Sequence, residues 1–498
     1  MKIEYKVLFL VLLLGLILAF ATVSIPVATT IIVVAICISC SLVLLRSKVD
    51  KMLGFAICTL LAGYAFLGKG FAYLGFPPIY IGEVTLAILL GMTLARGGMR
   101  LAFRSPLSWG LLVFALWGAF RTIPYIGIYR IDAARDAVIW AYSVFAVLVA
   151  TFLLRLDAIR TVPQVFEKFC GPFLLWVVPA LALVTFFGNS IPRIPGTSEP
   201  FLDIKPGDTA VHLAGVASFL LLGLHRQAND RSNVSPVKEG VWWVLILLSA
   251  VLATTSNRGG LLAFLAACLV AIGIRPIANA AKVLLCAFFF LVLIISNTHI
   301  STLRADGSVR DISATQLKDN FSSVFGKNSE DLDGTRQWRI DWWNKIIDYT
   351  VKGPYFWGGK GFGINLADDD GFQVTDDHSL RSPHNGHLTI LARSGVPGLA
   401  IWIGLQMLFG FSLIRCYFIA ISTKNQRLAR LNVWIFCYWL AFLINGTFDV
   451  FLEGPQGGIW FWCWFGFGIA AIEYQLQEHR LNRMRVANIA TASFVTAD

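Results

Sequence analysis

Val7-Leu-Phe-Leu-Val-Leu-Leu-Leu-Gly-Leu-Ile-Leu-Ala-Phe-Ala-Thr-Val23 holds no charged or amide side chain, and its reading decides the fold. At 1.5 Å per residue, a helix needs about 20 such residues to cross the ~30 Å hydrocarbon core of a bilayer. A secretory leader would also be apolar, but no small-residue cleavage site follows, and a second apolar block opens at residue 28. The segment therefore reads as a retained anchor. Outward from it, comparable blocks recur along the chain, at about 52–68, 79–95, 106–123, 136–154, 171–188, 209–225, 240–256, 259–274, 280–296, 396–414, 431–447 and 458–474. The expected fold is all-α, a polytopic transmembrane bundle of about 12 to 14 spans.

Composition agrees. Hydrophobic residues make up 56% of the 498, charged residues only 14%, and mean hydropathy is +0.68. Soluble domains carry about 25% charged residues. The net charge of +11 would suggest nucleic acid in a soluble protein. Here the Lys and Arg sit in short links after every second block, such as Arg46–Lys51, Arg96–Arg104, Arg155–Lys168 and Arg226–Lys238. That alternation is a topology signal and predicts both termini in the cytoplasm. All nine cysteines lie in or beside apolar blocks, so neither a disulfide framework nor a zinc site is indicated.

The polar remainder falls on the other face. Its longest piece divides the chain into a first set of about 11 spans (1–296), a long outer loop (297–395), C-terminal spans (396–475) and a cytoplasmic tail (476–498). Within the loop, Trp338, Trp342, Ile346 and Tyr349 recur at helical spacing, which predicts an amphipathic helix lying at the outer interface.

Several outer groups could carry chemistry. Arg258, in Thr-Ser-Asn-Arg-Gly-Gly, either snorkels to the interface or presents a planar fork to phosphate oxygens, with Gly259 and Gly260 allowing close approach. Arg336 and Arg339 stand three apart on one helix face, as a solvated pair or as an anion grip. The turn Gly353–Gly363 could cradle phosphate, though no strand leads into it. In Arg381-Ser-Pro-His-Asn-Gly-His-Leu, Pro383 suggests a helix start, with His384 in the first turn and His387 near the same face. The imidazole suits a general base; a metal pair lacks a third ligand. Glu83, Arg135 and Asp136 complete the outer cluster, where an ion pair that orients helices explains them at least as well as catalysis does. Asp368-Asp369-Asp370 and Asp376-Asp377 read as a solvated loop, and His212 as a helix-to-helix hydrogen bond.

In order along the chain, Arg135-Asp136, Asn257-Arg258-Gly-Gly, the run from Arg336 to Gly363, and Pro383-His-Asn-x-His-Leu…Ser-Gly-x-x-Gly398 resemble the O-antigen ligase superfamily, which includes O-antigen and exopolysaccharide polymerases. The resemblance implies a metal-independent, inverting glycosyltransferase of a bacterial inner membrane, with no cofactor and its active site on the periplasmic face. Its donor would be a glycan on undecaprenyl pyrophosphate, and its acceptor a glycan or lipid A-core hydroxyl. His384 would activate the acceptor, while Arg258 and Arg336 would grip the pyrophosphate. Arg339, Arg381, Asn385, His387, Arg135 and Glu83 would complete substrate binding. Implied partners are the bilayer, a chain-length regulator or other envelope-assembly proteins, and no nucleic acid. The sequence departs from the family pattern at Gly386 and at Arg393-Ser394, where a small polar and an acidic residue are usual. A transporter or flippase of lipid-linked glycans is the competing reading, but that class places ionisable groups deep inside several spans, and here they gather at the rim.

Overall fold

The computed structural model describes residues 49–76, 79–195, 197, 199–227, 235–274, 300–303, 309–312 and 330–495. The expected spans 7–24, 28–45 and 280–296 lie outside them. The described chain is all-α apart from two small hairpins. Its principal helices are α1 (Val49–Leu67), α2 (Ile81–Arg96), α3 (Pro106–Tyr129), α4 (Ile131–Ala141), α5 (Ser143–Arg155), α6 (Val162–Phe187) and α7 (Pro206–Leu221). They continue with α8 (Pro236–Ser256), α9 (Arg258–Ile274), α10 (Glu330–Val351), α11 (Leu366–Asp370), α12 (Gly386–Ser422), α13 (Gln426–Phe448) and α14 (Pro455–Val495). Helices satisfy their own backbone groups, which lipid cannot do.

Five described helices are long and apolar enough to cross a membrane: Asp50–Leu67, Pro106–Tyr129, Ile159–Ser190, Gly386–Ser422 and Gln426–Phe448. A sixth candidate is α4 with α5, bent by 42° where one straight span was expected. Ile81–Leu94 and Arg258–Ile274 are apolar but shorter. α14 continues as one helix through the expected tail.

The helices bury aromatic rings against one another. Trp434 donates its indole N–H to the Gly215 carbonyl (3.0 Å), and a Cβ at Gly215 would come within 2.5 Å of the Tyr438 ring. This glycine lets α7 and α13 approach closely. His212 makes the expected cross-helix bond, 2.6 Å from the Tyr438 hydroxyl. On α3 the exposed residues Trp109, Val113, Leu116, Phe120 and Ile123 follow helical spacing, an apolar stripe turned away from the core.

α12 is two helices across a break. Gly395 sits at φ 71°, ψ −174° with Pro397 after it, so the carbonyls of the preceding turn lose their helical donors. Lys360 N–H donates to the Ala392 carbonyl (2.7 Å), Gly361 N–H to Arg393 (3.1 Å) and the Trp117 indole to Ser394 (3.1 Å). The glycine-rich turn therefore caps a broken helix. Two of the N–H groups that a phosphate cradle would need are used this way, and the Arg121 side chain fixes the Gly358 carbonyl from the other side (2.8 Å).

The loop helix α10 carries the expected stripe, with a different partner. Trp342 and Ile346 are fully buried with Leu366, Ala367, Leu391 and Ala392 in a second, smaller core. The stripe faces protein, not the membrane interface. Its polar anchor is Asp370, read above as solvated. Asp370 accepts from the Trp342 indole (2.7 Å) and the Tyr349 hydroxyl (3.3 Å) and pairs with Lys360, whose ammonium stands 4.1 Å from the Tyr349 ring.

Candidate functional site

Three segments far apart in sequence meet at one end of the bundle: the start of α12, α10, and the link after α13. Asn385 is the N-cap of α12, its side-chain oxygen accepting from the N–H groups of His387 (3.0 Å) and Leu388 (3.1 Å). This capping arrangement satisfies two of the four orphan donors and engages the side-chain oxygen of Asn385, a residue expected to bind substrate. His384 thus lies just outside the helix and not in its first turn, with a left-handed backbone at φ 52°. That conformation is uncommon for a side chain with a Cβ and occurs where surrounding contacts enforce it. Trp343 contributes one such contact, donating to the Pro383 carbonyl (2.9 Å), and the Trp338 ring stands 6.4 Å from the imidazole.

The His384 Nδ1 faces Asp449 Oδ1 at 3.9 Å, with the imidazole about one-third exposed and the carboxylate 15% exposed. Burial alone would raise the Asp449 carboxyl. His384, Lys205 (Nζ 3.9 Å away) and the Val450 N–H (2.8 Å) outweigh it and hold the group down at about 2. Lys205 is also depressed by burial, yet Asp449, Asp208, Asp203 and Glu453 reverse that and raise it. Asp449 and Lys205 were not singled out in the sequence. The one signal was their position in short outer links beside spans nearly free of charge.

Arg339 reaches into the same place. One guanidinium nitrogen donates to the Phe448 carbonyl (3.1 Å), next to Asp449. Its Nε is buried without a hydrogen-bond partner among the described residues. Burial and the nearby Arg258 push its guanidinium down, and Asp449 opposes them. A guanidinium stays charged in proteins, so this spot disfavours the positive charge it holds and would be relieved by an anion. Arg258 is the first residue of α9, after the N-cap Asn257, which accepts from Gly260 N–H (2.7 Å). The glycines beside it serve packing: a Cβ on Gly259 would meet Phe448, and one on Gly260 would meet Ala210, both under 3.0 Å. Arg336 stands one turn before Arg339 on α10, and its side chain lies outside the described residues.

Of the other expected site residues, His387, Arg381 and Glu83 are held by contacts within the protein. His387 has both ring nitrogens engaged, Nδ1 accepting from the Trp402 indole (3.0 Å) and Nε2 facing the Leu443 carbonyl (3.2 Å). The ring is therefore a neutral tautomer held between Trp402 of its own helix and Leu443 of α13. Arg381 pairs with Asp136 (3.0 Å) and donates to the Gly363 carbonyl (2.8 Å). Asp136 also receives the buried Arg393 (2.9 Å) and the Gly363 N–H (2.9 Å). It welds α4 to the loop, so the unusual Arg393 has a packing explanation. Arg135, its neighbour, is exposed. Glu83 is held by Tyr80 N–H (3.0 Å) and by the Tyr142 hydroxyl. Among the described residues, no three His, Cys, Asp or Glu side chains group closely enough to hold a metal.

A family model described as O-antigen ligase matches residues 243–403. The matched stretch contains Arg258, Arg336, Arg339, Arg381 and His384, and excludes Lys205 and Asp449. Comparison with curated proteins finds no match.

Proposed function

We propose that this chain, whose residues 243–403 match a family model described as O-antigen ligase, transfers a glycan from a membrane-anchored pyrophosphate, undecaprenyl pyrophosphate in a bacterial inner membrane, to an acceptor hydroxyl on the periplasmic face. The observation that carries the reading is the convergence of a partly exposed imidazole on a carboxylate and two arginines at one rim of the bundle. A fixed carboxylate facing Nδ1 favours the Nδ1–H tautomer and leaves the Nε2 lone pair for a proton. The acceptor oxygen bonds to the anomeric carbon while the bond from that carbon to the pyrophosphate breaks. The hydroxyl proton passes to His384, and the electron pair leaves with the pyrophosphate. Arg339 and Arg258, with Arg336 one turn away, stabilise the charge that develops there. Attack opposite the leaving group inverts the anomeric centre.

Lys205 adds a third cation to the same pocket, and Asp449 keeps the imidazole oriented after it has taken the proton. The chain then acts either as a ligase onto a lipid A-core or as a polymerase joining repeat units. Deletion followed by analysis of surface polysaccharide separates these two. Polymer retained on the lipid carrier identifies a ligase, and single repeat units identify a polymerase. Normal polysaccharide in strains carrying only His384→Ala or Arg258→Ala would refute the transferase reading itself.

A further inference from the structure

At the opposite end of the bundle from His384, α6 and α8 leave a groove between them with a volume of about 670 Å³. The two ends are far apart, since α8 runs from Pro236, two residues before Lys238, to Ser256, two residues before Arg258, about 30 Å of helix. On α6 the lining steps from Lys168 through Gly171 to Leu175, and on α8 from Lys238 through Val241 and Trp242 to Leu245. Both series advance by one helical turn at a time. The groove therefore starts at a cationic rim and becomes apolar within two turns, a gradient that matches an amphiphile lying along the helices. The Lys238 ammonium stands 4.8 Å from the centroid of the Trp242 ring, which is itself buried. Glu167 shares the rim and sets one negative charge against two positive ones. Leu175, 64% exposed, and Val241, 49% exposed, form walls open to the side.

We propose that this groove binds one anionic phospholipid, its phosphate between Lys168 and Lys238 and an acyl chain along Leu175, Val241 and Leu245. Charge selects an anionic headgroup over a zwitterionic one, and the apolar walls select a lipid over soluble phosphate. Basic pockets between spanning helices are a recurrent way of holding such headgroups. The inference does not depend on the glycan chemistry at the other end.

Native mass spectrometry of the full-length protein tests it, after equilibration in micelles holding equal amounts of phosphatidylglycerol and phosphatidylcholine. The wild-type protein retains one phosphatidylglycerol in preference to phosphatidylcholine, and raised salt weakens the preference. This arm needs no variant. Lys168→Gln with Lys238→Gln lowers the preference about thirty-fold, at ~1 kcal/mol per lysine. Leu245→Trp fills the apolar part and displaces the lipid with both charges intact. Equal retention of the two lipids by the wild type overturns the proposal, as does an unchanged preference in the double lysine variant. Loss in the lysine variant with full retention in Leu245→Trp also overturns it, because it would mean surface association without a groove.

Discussion

Replacing Asp136 with Ala removes the one carboxylate that Arg381 and Arg393 share, together with the acceptor for the Gly363 N–H. Asp136 is 7% exposed and Arg393 2%, so neither guanidinium that remains can recover full hydration. Removing one partner of a buried pair costs about 3–5 kcal/mol, most of it from the stranded charge. Arg381 keeps a weaker partner in Asp132 (3.7 Å), and Arg393 keeps the Gly361 and Ile364 carbonyls (3.4 and 3.2 Å), which moderates the loss. The lost backbone bond adds back about 1 kcal/mol, and the expected net cost is about 4 kcal/mol. Unfolding of the detergent-solubilised protein by SDS, followed by tryptophan fluorescence, reads it out. Arg393→Met in the Asp136→Ala background should recover part of the loss, because it removes the stranded cation. A cost below about 0.5 kcal/mol for Asp136→Ala, typical of surface changes, would refute the reasoning. So would strict additivity of the two substitutions.

Gly395→Ala forces a side chain into φ 71° and puts its Cβ 2.5 Å from the Phe356 carbonyl. It should destabilise by about 2 kcal/mol or more in the same unfolding assay. Gly404→Ala, in open space on the same helix, should be neutral or gain up to about 1 kcal/mol. His387→Ala removes one hydrogen bond to α13 and one across the break of α12, and should lower the yield of folded protein, while the folded fraction still transfers glycan at close to the normal rate. A loss of rate per folded molecule would return His387 to the substrate site. The depressed Asp449 carboxyl stabilises the fold above its unfolded value near 4, and that contribution fades as pH falls toward about 2. Asp449→Asn should flatten this acid limb of stability between about pH 4 and 2. An unchanged limb would show that Asp449 is not held low.

The sequence made the class and the main partner residues legible because lipid imposes a simple rule. A helix that must face hydrocarbon shows up as an uncharged run, and the few charges left at its ends stand out. Arg258 stands out in that way, Arg339 through its spacing with Arg336, His384 through the Pro383 start signal, and α10 through its period. What escaped was anything set by contact between distant segments. Asp449 is a lone carboxylate in a short link, and only folding brings it beside His384. Nothing in Gly353–Gly363 announces that its N–H groups cap the break at Gly395, because that break needs the fold of α12 to exist. Asn385 could have been recognised as an N-cap from its side chain alone, which would have placed His384 outside the helix and His387 on a different face. Asp370 misled by its acidic neighbours, since burial depends on Trp342 and Lys360 reaching it from elsewhere.

The central claim is that His384 takes the acceptor proton at a site whose arginines hold the lipid-linked donor. The most direct measurement is glycan transfer by purified protein given lipid-linked donor and acceptor, comparing wild type with His384→Ala while donor binding is measured in parallel. The account predicts a rate lower by about 10²–10⁴-fold with donor affinity within a few-fold of normal. Transfer at the wild-type rate by folded His384→Ala protein would contradict it.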